Sequence, residues 1–268
     1  MVVTKKETQT YIKLSASGLC MTTVTSRERF KTDKGVFDEF THRNLFELES
    51  RGVFDKLLSP YKIGKESNVF IAQRKNKNCI VKIYRLQNCD FKRMYEYIRV
   101  DPRYEYLMQR RREIIFAWTQ REYKNLLRAQ KAGINSPVAH AFRNNILVES
   151  MIGNDGPALA LKDHYPQNPG KFFQKIIDGI KMLYRAGLIH GDLSSFNILN
   201  FNEEPYFIDF SQSTLVKSPN AEDLLRRDII NIVTFFRKLK IIANSEEIFK
   251  TIVEKTKIHD KTNLYRWN

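Results

Sequence analysis

The chain has 268 residues, 42% hydrophobic and 28% charged, enough to bury a core as one large domain or two small lobes around a cleft. Its formal charge of +15 favours polyanionic partners, RNA or a ribonucleoprotein, through long-range attraction and counterion release. No apolar run approaches the roughly 20 residues that cross a bilayer, residues 1–9 lack a signal peptide's apolar stretch, and Cys20, Cys79 and Cys89 suit neither a disulfide framework nor a zinc site, so a reducing, cytoplasmic setting is expected.

Residues 1–35 are rich in Thr and Ser with weak periodicity and read as a flexible N-terminal extension. From Val36 a helical pattern begins, carried by Phe37, Phe40, Leu45, Phe46, Leu48 and Val53, with Gly52 as a stop. A second short helical piece is predicted over 54–58, ahead of Ser59 and Pro60. The period then changes. Residues 69–72, a polar turn at 74–78 and residues 79–84 read as two strands of a hairpin. Residues 88–113 are rich in Tyr and Arg without clean periodicity and are expected to form a long, flexible basic loop.

Order returns at Ile114, where Ile115, Trp118, Glu122, Leu126 and Ala129 lie near one side of a long helix ending at Gly133. Residues 145–149 read as a strand, and the turn-rich stretch 153–157 as a connector between lobes. Phe172, Ile176, Ile180 and Leu183 belong to an amphipathic helix stopped by Gly187. Strands over 197–201 and 205–209 flank a turn at 202–204. The last long helix is predicted to begin with Ser218 as N-cap and Pro219 at the first position. This order predicts an α+β, bilobal protein-kinase-like fold. Residues 36–152 form a helical extension plus a strand-rich ATP-binding N-lobe, and residues 153–268 a reduced helical C-lobe.

The chemistry concentrates in His190-Gly191-Asp192, Asn197 five residues beyond the Asp, and an apolar strand ending at Asp209. Phosphoryl transfer asks a protein mainly for alignment and charge neutralisation. Asp192 can orient a hydroxyl and accept its proton, while Asn197 and Asp209 supply hard oxygen ligands for magnesium. Lys82 lies inside the apolar run Ile80-Val81-Lys82-Ile83, where its ammonium needs partners. Those partners are ATP phosphates on one side and Glu122 on the other. The segment Gly64-Lys65-Glu66-Ser67 precedes the first hairpin strand with a single glycine, so Lys65 and Ser67 would contact phosphates directly. Asp228 has two readings, a brace for the catalytic loop or a surface ion pair.

Together these elements resemble the RIO family of atypical serine/threonine protein kinases. The likeness rests on Gly64-Lys65-Glu66-Ser67-Asn68-Val69-Phe70, Val81-Lys82-Ile83-Tyr84, Trp118-Thr119-Gln120-Arg121-Glu122-Tyr123-Lys124-Asn125-Leu126, His190-Gly191-Asp192-Leu193-Ser194-Ser195-Phe196-Asn197 and Ile208-Asp209-Phe210-Ser211-Gln212-Ser213. The helix motif and the ending after Asp209 look like the type-1 branch in archaeal form. The resemblance implies Lys65, Glu66 and Ser67 in the phosphate loop and Lys82 on phosphates, paired with Glu122. It also implies adenine against the backbone of Ser150 and Ile152, Asp192 as base, and Asn197 and Asp209 on Mg2+ (or Mn2+). Some members are thought to act mainly as ATPases through a phospho-aspartate at the position of Asp209, and members assist small ribosomal subunit maturation. Gly191 stands where many members carry alanine, which reads as sterically permissive. Residues 210–268 are too few for a conventional activation segment and peptide platform.

Two other readings remain. A nucleotide-switched ribosomal assembly factor with negligible turnover would keep the same nucleotide site. A small-molecule kinase of aminoglycoside or choline type shares the His-Gly-Asp pattern but carries a longer, acidic helical region after its second Asp.

Overall fold

The computed structural model describes residues 11–15, 18–22, 37–87 and 89–255. Within the N-terminal extension, β1 (Tyr11–Ser15) and β2 (Gly18–Thr22) pair antiparallel; Val36 lies outside the described residues. Helix α1 (Glu39–Ser50) opens where the Asp38 carboxylate accepts the Thr41 N–H at 2.7 Å, satisfying one of the free amides of a helix start.

A five-stranded antiparallel sheet follows, with strand order β3-β4-β5-β7-β6. Its strands are β3 (Lys56–Ile63), β4 (Ser67–Arg74), β5 (Lys77–Tyr84), β6 (Ala139–Arg143) and β7 (Ile146–Ser150). The predicted hairpin is β4–β5. The helical piece expected over 54–58 is absent; residues 56–58 are instead the start of β3. Phe54, Leu57 and Leu58 are too short an apolar run to separate the two periods, and Pro60 is tolerated because β3 is an edge strand with irregular register beside it. Alternation along β5 sends Val81 and Ile83 into a core with Phe70, Val148 and the α1 residues Leu45 and Leu48. Lys82 therefore points to the other face.

Of the stretch 88–113, expected as a flexible loop, the described residues 89–113 are not one long loop. Helix α2 (Phe91–Arg99) starts where Asp90 accepts the Arg93 N–H, and a short 3-10 turn spans Pro102–Tyr104. Met94 and Ile98, one turn apart, bury against Tyr84, Ile114 and Trp118. A two-residue apolar stripe among tyrosines is too thin to reveal the helix in sequence. Helix α3 (Arg111–Lys131) ends before Gly133, whose φ of 78° fits the left-handed turn beyond a helix end.

The second lobe is built on α4 (Pro169–Arg185), α5 (Ala221–Arg237) and α6 (Ser245–Lys255), the last not foreseen from sequence. Phe172, Ile176 and Ile180 of α4 share one core with Ile229, Ile232 and Phe236 of α5 and with Phe249 and Ile252 of α6. Leu126 and Ala129 of α3 join that core, so α3 belongs to both lobes. Helix α5 starts at Ala221 with Asn220 before it, not at Ser218. The Ser218 hydroxyl accepts instead from Thr214 Oγ1 at 2.9 Å, in the turn before the helix. Between α4 and α5, β8 (Leu188–Ile189) pairs with β11 (Thr214–Leu215), and β9 (Ile198–Phe201) with β10 (Glu204–Phe207). The β8–β11 pair and the β9–β10 hairpin bracket the loop 190–197 and the segment around Asp209.

Candidate active site

Lys82 is buried on the cleft face of β5, and two carboxylates meet its ammonium: Glu122 Oε1 at 2.8 Å from α3 and Asp209 Oδ1 at 3.0 Å from the segment after β10. Burial alone would depress the Lys82 pKa, but Asp209 and Glu122 outweigh it and hold the ammonium well above its usual range. Burial raises Glu122, against the opposing pull of Lys82. The Tyr84 hydroxyl donates to Glu122 Oε2, so both carboxylate oxygens are held. Burial would also raise Asp209, yet Lys82 and the Ser211 hydroxyl (2.7 Å) keep it well below the ordinary carboxylate range. Asp209 sits in the left-handed region, φ 63° and ψ 70°, which Asp tolerates better than most residues and which aims its side chain back at Lys82.

The loop after β8 is fixed from below. Asp228 of α5 is 1% exposed and accepts the Gly191 N–H at 2.7 Å and the Leu193 N–H at 2.8 Å. Of its two readings, the brace is the one observed. Burial raises this carboxyl to about 7, and the two backbone donors oppose that rise. Gly191 is not sterically permissive: its φ is 78°, and a Cβ there would lie 2.8 Å from the Gln212 carbonyl oxygen. His190 is buried with Nε2 at 3.0 Å from the Ile208 carbonyl; burial depresses it to about 4, so the ring is neutral and structural near pH 7.

Asp192 is half-buried, and burial together with the charge of Asp209 raises its carboxyl. Asn197 Nδ2 donates to the Asp192 carbonyl at 2.8 Å and to its Oδ2 at 3.1 Å. The Ile208 N–H donates to the Asn197 carbonyl at 3.0 Å, which closes the β9–β10 hairpin and brings Asp209 back beside Asn197. With its amide nitrogen on Asp192, Asn197 keeps its side-chain oxygen for a cation, and Asp209 keeps Oδ2. Two hard oxygens suit magnesium completing its shell with phosphate and water. Among the described residues no group of three or more His, Cys, Asp or Glu side chains forms a metal cage.

The loop before β4 is a tight turn. The Gly64 N–H donates to the Ser67 carbonyl at 2.9 Å, and a Cβ on Gly64 would meet that oxygen at 2.7 Å. Ser67 opens β4, Lys65 is exposed at the tip, and Glu66 turns inward, where burial raises its carboxyl against the pull of Arg93 and Lys82. On the hinge, the Ser150 N–H donates to the Val138 carbonyl at 2.8 Å and the Ile152 carbonyl accepts from Ala158 at 2.7 Å. An adenine edge at these residues is thus left the Ser150 carbonyl and the Ile152 amide. A cavity of about 930 Å³ lies behind the hinge, lined by Arg74, Lys77, His140, Ser150 and Asn154; it touches none of Lys82, Asp192, Asn197 or Asp209.

Sequence reasoning named Glu122 and missed its neighbours. Arg121, wholly buried, donates to Asp101 Oδ2 at 3.1 Å and to the Ser211 carbonyl at 2.9 Å. Asn125 donates to the carbonyls of Phe210 (3.1 Å) and Ser213 (2.8 Å) and accepts from Arg103 at 2.9 Å. The signal available was two more polar residues in the helix motif that carries Glu122.

A RIO domain model matches residues 68–248. The chain is 42% identical over 230 residues to the RIO-type serine/threonine-protein kinase Rio1 of Methanocaldococcus jannaschii, covering 85% of this chain and 79% of that one. It is 35% identical over 227 residues to the Haloferax volcanii protein of the same name, covering 84% and 78%. Among solved structures, the ADP/Mg2+-phosphoaspartate complex of the Rio2 kinase from Chaetomium thermophilum superposes with a TM-score of 0.62 at 21% identity, over 95% of this chain and 78% of that one.

Proposed function

The chain belongs to the RIO kinase family, and from that premise we propose how its residues transfer the γ-phosphate of ATP to a serine or threonine hydroxyl. The observation that carries the reading is the three-way contact of Lys82 with Glu122 and Asp209, with the Ile208–Asn197 hydrogen bond setting Asp209 beside the Asp192–Asn197 pair. Glu122 and Tyr84 fix the ammonium of Lys82 so that it meets nucleotide phosphates without reorganising, which is the main way an enzyme lowers a phosphoryl-transfer barrier. Asp192 orients the incoming hydroxyl and takes its proton as the new O–P bond forms and the bond to the β-phosphate bridging oxygen breaks. Magnesium, held by the Asn197 amide oxygen and Asp209, would neutralise charge building on the phosphates. Asp192, Asn197 and Asp209 come from the second lobe, Lys82 from the sheet of the first, and Glu122 from α3, which packs in both cores.

The test is transfer of γ-phosphate label with magnesium, followed by the chemistry of the labelled product. Acid-stable label on Ser or Thr is expected. Hydroxylamine-labile label on this chain would instead mean an acyl phosphate on Asp209 and an ATPase cycle. Nucleotide binding with neither label nor phosphate release would leave the nucleotide-switched assembly factor as the better reading.

We place the protein in the cytoplasm on small-subunit precursors. The support is the +15 charge and the exposed Arg110, Arg111 and Arg112 at the start of α3. Arg111 lies 5.2 Å from the Phe91 ring and Arg112 5.3 Å from that of Phe40, so each guanidinium is held on an aromatic face at the surface. Replacing all three by Ala should weaken binding to precursor RNA particles and flatten its salt dependence by up to ~3 units of slope. An unchanged slope would put the RNA contact elsewhere.

A further inference from the structure

Glu149 is a charged residue type on the wall of the cleft that neither the phosphate chemistry nor the brace under the catalytic loop uses. Cross-strand partners in an antiparallel pair point to the same face. In the β5–β7 register Glu149 faces Ile80 and Leu147 faces Lys82. Ile80 and Lys82, two residues apart, share a face, so Glu149 stands on the side of the sheet from which Lys82 reaches Glu122 and Asp209. Across β4, Ile71 opposite Ile80 and Val69 opposite Lys82 extend that face as an apolar, half-buried roof. Glu149 immediately precedes Ser150, the first hinge residue, and is itself half-buried and open to the cleft. Among the described residues no hydrogen bond or ion pair engages its carboxyl. Such a group, set in an apolar wall, is costly unless a ligand completes its hydrogen bonds.

We propose that Glu149 reads the nucleotide base, its carboxyl accepting a hydrogen bond from the 6-amino group of adenine and donating one to N7. The assignment rests on the kinase reading above and adds a specificity-determining residue to it. The charged groups that reach Glu149 are Glu122 from α3, Lys82 from β5 and Asp209 from the segment after β10. Burial first, and Glu122 next, push its pKa up to about 8, so the neutral acid predominates near pH 7. A neutral carboxyl offers one donor and one acceptor side by side. That pattern complements the N6 donor and N7 acceptor of adenine as a glutamine amide does, whereas guanine shows two acceptors, O6 and N7, on the same edge. With the Ser150 carbonyl and Ile152 amide on the hinge, the purine would be read from two sides.

The experiment measures equilibrium binding of MgATP and MgGTP by calorimetry for wild type, Glu149→Gln and Glu149→Met, with thermal unfolding as a check on folding. Wild type should prefer ATP by ~10-fold or more. Glutamine preserves both hydrogen bonds and should keep that preference; methionine fills similar volume without them and should bring the two affinities within ~3-fold. A methionine variant that binds ATP as tightly and as selectively as wild type overturns the assignment alone. Wild type that binds neither nucleotide overturns the kinase reading and this inference together.

Discussion

Replacing Asp192 by Asn should lower γ-phosphoryl transfer by about 10²–10⁴-fold, the usual contribution of a positioned general base, while ATP affinity changes little. The geometry explains why the loss falls on turnover. Asp192 contacts Asn197, whereas Lys82 is held by Glu122 and Asp209, so an amide in place of Asp192 removes the proton acceptor and leaves the Lys82 ammonium held as before. Asp209→Asn should behave differently, because Asp209 also holds Lys82 and would hold magnesium; both turnover and magnesium dependence should suffer. The pH profile separates the two. Burial and the charge of Asp209 raise the Asp192 pKa, and a base works only when deprotonated, so activity should rise with pH through a limb above the ordinary aspartate value. Asp209 is held below that range and adds no limb there. Full transfer activity in Asp192→Asn would remove it from the mechanism.

Arg121→Met should lower stability by about 3 kcal/mol, the low end for breaking a buried ion pair, because Arg103 still pairs with Asp101. Arg121 and Asp101 are both wholly buried, so little solvent compensates. For a chain of this size that corresponds to a fall in Tm of roughly 6–12 °C. The loss should also reach activity, since Arg121 and Asn125 together hold the carbonyls of Phe210, Ser211 and Ser213, the residues just past Asp209. Helix α3 thus ties Glu122 and the Asp209 segment into one unit. Asp101 adds a pH signature. Burial would raise its pKa, but Arg103 and Arg121 keep it lowered, so its stabilisation is complete above about pH 4 and disappears as pH falls through the folded-state value. An Arg121→Met protein that melts with wild type would show that the network carries no load.

How much of this was legible from sequence depended on distance along the chain. His190, Asp192 and Asn197 fall within one loop, and Asp209 is one short hairpin away, so spacing alone pointed to them. Lys82 was legible for another reason: an ammonium in an apolar strand demands partners wherever the strand sits. Where periodicity was weak, local reading erred. Residues 54–58 had too few apolar positions to separate helix from strand, and α2 hid a two-residue stripe among tyrosines and arginines.

By itself the sequence determined the candidate site residues Lys82, Asp192, Asn197 and Asp209, the two-lobed order of elements and the surplus of positive charge, because each is local or compositional. Tertiary structure decided what surrounds them. Arg121 meets Ser211 across 90 residues and Asp228 meets Gly191 across 37, and no local pattern encodes such pairings. Nor did the sequence show which way Glu149 faces. A strand's side chains alternate, so a one-residue change of register against β5 would have turned Glu149 into the α1 core and Val148 into the cleft.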